Sequence, residues 1–190
     1  GTVLHLGDDK SLVSLGTPWD VSHAHAREPV IEIGIDWAIP NPLEIKDPDT
    51  KRQVLFRSKD LSFRSKVLAN GGGKLTTEQM EYRIGNDTFS FSRKKDKNEY
   101  SLSTTSSKFS FKRQLGRKWP LPAPIKFYGF ADEVRTYHQN AGFLSELELE
   151  FERMLRDVYY LGPLRDYPRR EYTWAGGDPA DMGRRGEYAI

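Results

Sequence analysis

The chain has 190 residues, 29 Lys and Arg against 27 Asp and Glu, and a formal net charge of +2. Its 12% aromatic content and near-balanced charge exclude a wholly disordered polymer. The lack of cysteine excludes a disulfide framework and any thiolate metal site, and no apolar run approaches the roughly 18 residues that span a bilayer. One domain, or one domain with an appendage, is expected in a reducing, cytoplasmic setting with no membrane association.

In chain order, Thr2–Leu6 is strand-like. Thr17-Pro18-Trp19-Asp20 starts a short helix or turn, with Thr17 as its cap and Pro18 at the first helical position. Residues 30–39 alternate: Ile31, Ile33, Ile35, Trp37 and Ile39 share one face, and Glu32, Gly34 and Asp36 the other, the period of a half-buried strand. The prolines and acids of 40–50 predict a loop, after which Val54, Phe56, Leu61 and Phe63 resume strand character. Asn70–Gly73 is a break. Tyr82 and Ile84, a Gly85-Asn86-Asp87 turn, and Phe89 and Phe91 make a hairpin signature, with Tyr100, Leu102 and Thr104 and then Phe109 and Phe111 in step. Such spacing predicts an antiparallel meander with one wet face. Ile125–Phe130 reads as one more strand. A helix is expected over 146–158, with an apolar stripe of Leu144, Leu147, Phe151, Met154, Leu155 and Val158, a Ser145/Glu148 capping box and a Leu144/Leu149 staple. Tyr159-Tyr160-Leu161 then reads as a short strand. The fold class is therefore α+β, mainly antiparallel sheet, divided into a β-rich subdomain over 1–124 and a strand–helix–strand segment over 125–190.

Several stretches invite a chemical reading. Asn70-Gly71-Gly72-Gly73-Lys74-Leu75-Thr76 superficially matches a phosphate-binding loop. That loop needs Gly-x-x-x-x-Gly-Lys-Ser/Thr, and here Leu68 stands at the first glycine and Leu75 after the lysine, so a hairpin tip is the better reading. His23 and His25, two apart, have only Asp20 as a near acid, too few ligands for zinc, and they read as ordinary surface or cap histidines. No nucleophile–base constellation stands out, so no catalytic residue is assigned. Between 93 and 118 lie nine cations, Arg93, Lys94, Lys95, Lys97, Lys108, Lys112, Arg113, Arg117 and Lys118, against Asp96 and Glu99, interleaved with Tyr100, Phe109, Phe111 and Trp119 nearby. Such a segment can hold the phosphates of DNA or RNA by charge. The alternation of Phe109 and Phe111 with Lys108, Ser110 and Lys112 equally fits a solvated outer face over a core. The C-terminal stretch carries Arg165, Arg169, Arg170, Arg184 and Arg185 among glycines and prolines. Arginines so placed suit phosphate or carboxylate recognition or an interface, and Asp166, Glu171, Asp178, Asp181 and Glu187 are numerous enough to neutralise them.

The string Tyr160-Leu161-Gly162-Pro163-Leu164-Arg165, with Pro168-Arg169, Tyr172 and Gly183 to Glu187, resembles the RecF/OLD/SMC-related ABC-type ATPases, usually described as AAA-family ATPases and often found in bacterial antiphage defence operons. Leu12–Val21 followed by Ile31–Ile35 is similar to the stretch after the Walker A helix of that family. The resemblance implies an antiparallel β-subdomain beside a nucleotide site, in a parent that binds ATP with magnesium and dimerises around it. The Walker A, signature and Walker B motifs are not in these 190 residues, so the chain reads as an internal piece of such a protein, contributing to nucleotide-site architecture or to dimer and partner contacts without turning over ATP alone. Two other readings remain open at this point: a stand-alone nucleic-acid-binding β module using 93–118, and a structural dimerisation domain presenting the 146–158 stripe.

Overall fold

Alternating apolar and polar residues build the sheet, and the turns fix its order. The computed structural model describes residues 3–8, 10, 11, 13–22, 29–95, 97, 99–116 and 119–160. A single turn of helix, α1 (Pro18–Val21), is closed at its start by the Thr17 N–H donating to Asp20 Oδ2 at 2.7 Å. Five strands follow: β1 (Val30–Lys46), β2 (Val54–Ala69), β3 (Leu75–Ile84), β4 (Asp87–Arg93) and β5 (Tyr100–Thr104). They form one antiparallel sheet in sequence order, β1-β2-β3-β4-β5, so the expected meander is present. Two short helices come after it, α2 (Asp132–Tyr137) and α3 (Leu144–Asp157). The fold is α+β and mainly β.

The period-two pattern decides which side is buried. Leu61, Phe63 and Val67 of β2, Met80, Tyr82 and Ile84 of β3, and Phe89 and Phe91 of β4 are at most 4% exposed. The chain beyond β5 covers this face with rings. Phe143 lies 5.0 Å from Phe89 and 5.2 Å from Phe109, and Phe151 of α3 lies 4.4 Å from Phe63 and 5.4 Å from Tyr128. Each such pair adds about 0.5–1.5 kcal/mol beyond its area burial. The opposite face of the sheet is polar. Compact units divide after Arg153, giving Gly1–Arg153 and Met154–Ile190.

Several expectations need correction. The loop predicted over 40–50 is strand as far as Lys46: β1 continues past Pro40 and Pro42 because it lies at a sheet edge and its register shifts between Ala38 and Leu43, where a missing N–H costs no ladder bond. The turn proper is Asp47–Gln53, closed by the Asp47 N–H donating to Gln53 O at 2.8 Å. Phe109 and Phe111 lie in an irregular segment, not a strand, although Phe109 is 9% exposed. Side chains replace the missing ladder there: the Lys112 N–H donates to Asn140 Oδ1 at 2.9 Å, and Asn140 Nδ2 donates to Ser110 O at 2.9 Å. Ile125–Phe130 is a set of turns whose carbonyls accept from Ser65 Oγ and Tyr82 Oη. α3 starts at Leu144, so Ser145 lies inside it and the capping box does not form; Glu148 accepts the Phe130 N–H instead, at 2.6 Å. Leu149 is 40% exposed and closes no staple with buried Leu144. Tyr159 and Tyr160 are not in a strand, and Leu161 lies outside the described residues.

Candidate functional surfaces

The polar face of the sheet carries an organised set of charged side chains. Its rows are Glu32, Gly34 and Asp36 on β1, Ser62, Arg64 and Lys66 on β2, Gln79, Glu81 and Arg83 on β3, and Ser90 and Ser92 on β4, brought side by side by the register. Arg64 crosses β1 to reach Asp36 at 2.6 Å, with Arg83 3.8 Å away on the other oxygen. It crosses over Gly34, where an added Cβ would lie 2.9 Å from Arg64 Cδ; glycine is the residue that leaves this passage open. The Arg64 hydrogen bond holds the Asp36 carboxyl below its usual range. Glu81 accepts from Gln79 Nε2 at 2.6 Å and from Ser90 Oγ at 3.0 Å, and Arg83 Nε donates to Ser62 Oγ at 3.1 Å. A shallow cleft of about 480 Å³ lies among Glu32, Gly34, Arg64, Lys66, Gln79 and Glu81. Cations and carboxylates alternate along it, so it presents no net field to a single strongly charged ligand.

The nine cations of 93–118 do not form one surface among the described residues. β4 runs from the Gly85 turn toward the β4–β5 turn, and β5 runs back. Arg93, Lys94, Lys95 and Lys97 therefore sit at one end of the sheet. Lys108 and Lys112 follow the other end of β5, where Lys112 pairs with Asp49 of the β1–β2 turn, whereas the Arg113 guanidinium reaches toward Trp119, two residues before the Leu121 that bridges Tyr100. About five residues of strand, near 17 Å, separate the two groups. Arg93 lies 4.0 Å from Glu78, Lys94 lies 3.3 Å from Glu99, and Arg113 donates to Trp119 O at 2.9 Å. Lys95, Lys97 and Lys108 are exposed and have no carboxylate partner among the described residues. Arg117 and Lys118 lie outside the described residues, as do His23, His25, Arg165, Arg169, Arg170, Arg184 and Arg185.

The glycine-rich tip is a hairpin turn between β2 and β3. Asn70 Oδ1 accepts the N–H groups of Gly72 at 3.1 Å and Lys74 at 3.0 Å, and Asn70 O accepts that of Gly73 at 2.8 Å. Three amides that a phosphate loop would offer to a ligand, those of Gly72, Gly73 and Lys74, are thus taken up internally.

A third cluster joins α3 to the 126–130 turns. Glu152 accepts from Lys126 Nζ at 3.0 Å and from Tyr128 Oη at 3.1 Å, while Tyr82 Oη donates to Tyr128 O at 2.7 Å. Burial pushes the Tyr82 phenol and the Glu148 carboxyl up. The hydrogen bonds to Tyr128 and Glu152 raise Lys126. Sequence reasoning missed this cluster, because it depends on a turn that had been assigned as strand. It also missed Asn140, which follows His138 and Gln139 and carries no distinguishing signal in the sequence. Nearly every group in the cluster is matched within the fold, so it reads as a fastening of α3 to the sheet. Among the described residues there is no grouping of three or more His, Asp or Glu positioned to hold a metal ion, and no helix is long and apolar enough to cross a membrane.

Comparison with protein-family models, with curated proteins and with solved structures finds no match to this chain.

Proposed function

We propose that the chain is the β-rich subdomain of a RecF/OLD/SMC-related ABC-type ATPase, shaping the surroundings of the nucleotide site or contacting a partner while the rest of the ATPase domain holds ATP and magnesium. The observation that carries this reading is the Tyr160–Glu187 string placed after an antiparallel meander. The resemblance calls for an antiparallel β-subdomain beginning near Ile31, and the sheet begins at Val30. The internal hydrogen bonds from the Gly72, Gly73 and Lys74 amides to Asn70 support a role without direct phosphate contact at that turn. The reading of 93–118 as a DNA- or RNA-binding patch has less support, because its cations divide between two ends of the sheet. The dimerisation reading draws on no particular contact.

The test compares ATP turnover by the purified 190-residue chain with turnover by a product extended through the flanking coding sequence. The proposal expects magnesium-dependent turnover only in the extended product, lowered at least about tenfold by Arg165→Ala. Turnover by the chain alone would overturn it, as would an inactive extended product that folds and fails to bind ATP.

A further inference from the structure

The β2–β3 tip surrounds one side chain with donors and leaves the amide next to it open. The Gly72 and Lys74 N–H groups donate to Asn70 Oδ1 at 3.1 and 3.0 Å, and the Gly73 N–H donates to Asn70 O at 2.8 Å. Among the described residues the Gly71 N–H has no acceptor, and neither has the Asn70 Nδ2 amide. Asn70 and Gly71 are exposed, and a Cβ added at Gly71 would meet nothing within 4 Å.

This is the arrangement in which an asparagine reacts with its own chain. The nitrogen of the following residue attacks the side-chain carbonyl carbon, and negative charge collects on Oδ1. Here two N–H groups already point at that oxygen, as donors do that stabilise an oxyanion. Gly71 brings no side chain against the approach, and the departing Nδ2 is held by nothing. We propose that Asn70 is a self-modification site, converted by the folded tip to aspartate and its β-linked isomer. The Gly71 nitrogen gives its proton to solvent base and bonds to Asn70 Cγ. The Cγ–Nδ2 bond breaks, and ammonia leaves with a proton from water. Water then opens the succinimide, at Cγ to give aspartate or at the Asn70 main-chain carbonyl to give the β-linked form. The net change is one water gained and one ammonia lost, with no oxidant or reductant. The proposal is independent of the ATPase reading, since it rests only on the tip.

The other asparagines lack one or more of these features. Asn41 precedes Pro42, which has no N–H to give up. Asn140 is 2% exposed, and its Nδ2 donates to Ser110 O at 2.9 Å, so its amide is held. Asn86 is exposed, but its attacking nitrogen belongs to Asp87, whose Cβ crowds the approach and whose carboxylate opposes a second negative charge. Asn98 lies outside the described residues and is followed by Glu99, with the same two obstacles. At Asn70 the aspartate product keeps an acceptor for Gly72 and Lys74. The β-linked product adds a carbon to the main chain inside a turn closed by the Asn70 N–H donating to Lys74 O at 3.0 Å, beside the Val67, Ala69 and Leu75 cluster.

The test ages the purified chain in warm, mildly alkaline buffer and follows its tryptic peptides by mass spectrometry, where conversion adds the mass of water less that of ammonia. The 67–74 peptide should convert first and give two products, ahead of the 84–93 and 98–108 peptides. It should convert at least as fast in the folded chain as in the chain unfolded in guanidinium. Gly71→Ala, which the open space around that residue accommodates, should slow conversion about tenfold or more, the effect of a transition state raised by about 1.4 kcal/mol. Its urea midpoint should not fall. Conversion of Asn86 or Asn98 ahead of Asn70 would overturn the proposal. So would faster conversion in the unfolded chain, which would mean that the turn locks Asn70, or an unchanged rate in a folded Gly71→Ala variant.

Discussion

Replacing Phe151 with alanine removes the ring on which the helical layer meets the sheet. Phe151 is 0% exposed and contacts Phe63 at 4.4 Å, Tyr128 at 5.4 Å and Trp37 at 5.7 Å between ring centroids. Phe-to-Ala substitutions in cores cost about 3–5 kcal/mol from lost transfer energy and the cavity left behind. About 4 kcal/mol is expected here, because two of the surrounding rings, Tyr82 and Tyr128, are held by their own hydrogen bonds, Tyr82 to Tyr128 O at 2.7 Å and Tyr128 to Glu152 at 3.1 Å. They cannot collapse into the gap without breaking those bonds. A loss of this size is a large share of the roughly 5–15 kcal/mol stability of an ordinary domain, and it lowers Tm by about 8–16 °C for a chain of this length. Urea unfolding followed by tryptophan fluorescence measures it, with Phe151→Leu as a milder step in case the alanine variant does not fold. Leu149→Ala, on the exposed face of the same helix, should stay within about 0.5 kcal/mol. If Phe151→Ala costs no more than Leu149→Ala, α3 does not cover the sheet as described.

Asn140→Ala leaves the Lys112 N–H and the Ser110 carbonyl without their partner and should cost about 2 kcal/mol in urea, with faster exchange of the Lys112 amide. Tyr82→Phe removes one hydrogen bond to Tyr128 O, and a loss near 1 kcal/mol in the same assay is expected; no change would mean the 126–130 turns are not fastened there. Glu148 is a pH probe. Burial raises its folded pKa above the unfolded value, so its favourable contribution is complete below the unfolded pKa and is lost as pH rises through the folded one. Glu148→Gln keeps an acceptor for the Phe130 N–H without the charge, so it should raise the urea midpoint at pH 7, and the gain should fade toward about pH 4. A gain that grows on acidification would reverse the assignment.

What the sequence made legible follows from how local each signal was. The sheet was readable because its strands alternate within themselves and its turns carry Gly85-Asn86 and Asn70–Gly73, residues that set hairpins from nearest neighbours alone. The errors came where distant partners decide. Pro40 and Pro42 look like breakers until β1 is known to be an edge. Phe109 and Phe111 alternate like a strand, but Asn140, some thirty residues on, takes up their neighbours' backbone groups. Ser145 and Glu148 have capping-box spacing, yet the Phe130 N–H captures the carboxylate. For the candidate surfaces, Glu32 and Asp36 were visible as polar alternates of β1, whereas Arg64, Lys66 and Arg83 carried no signal of their own. Only the β1–β2–β3 register shows that they interdigitate, and that Gly34 clears the way for Arg64. The basic run of 93–118 shows the reverse relation: continuous in sequence, its cations at 93–97 and those from 108 on have β5 between them.

The claim that this chain is the β-subdomain of an ABC-type ATPase meets its most direct test in the genomic locus, read through the coding sequence on both sides of Gly1 and Ile190. The account predicts an in-frame Gly-x-x-x-x-Gly-Lys-Ser/Thr loop upstream and an ABC signature followed by an apolar strand ending in acid downstream. An open reading frame carrying neither motif would contradict it.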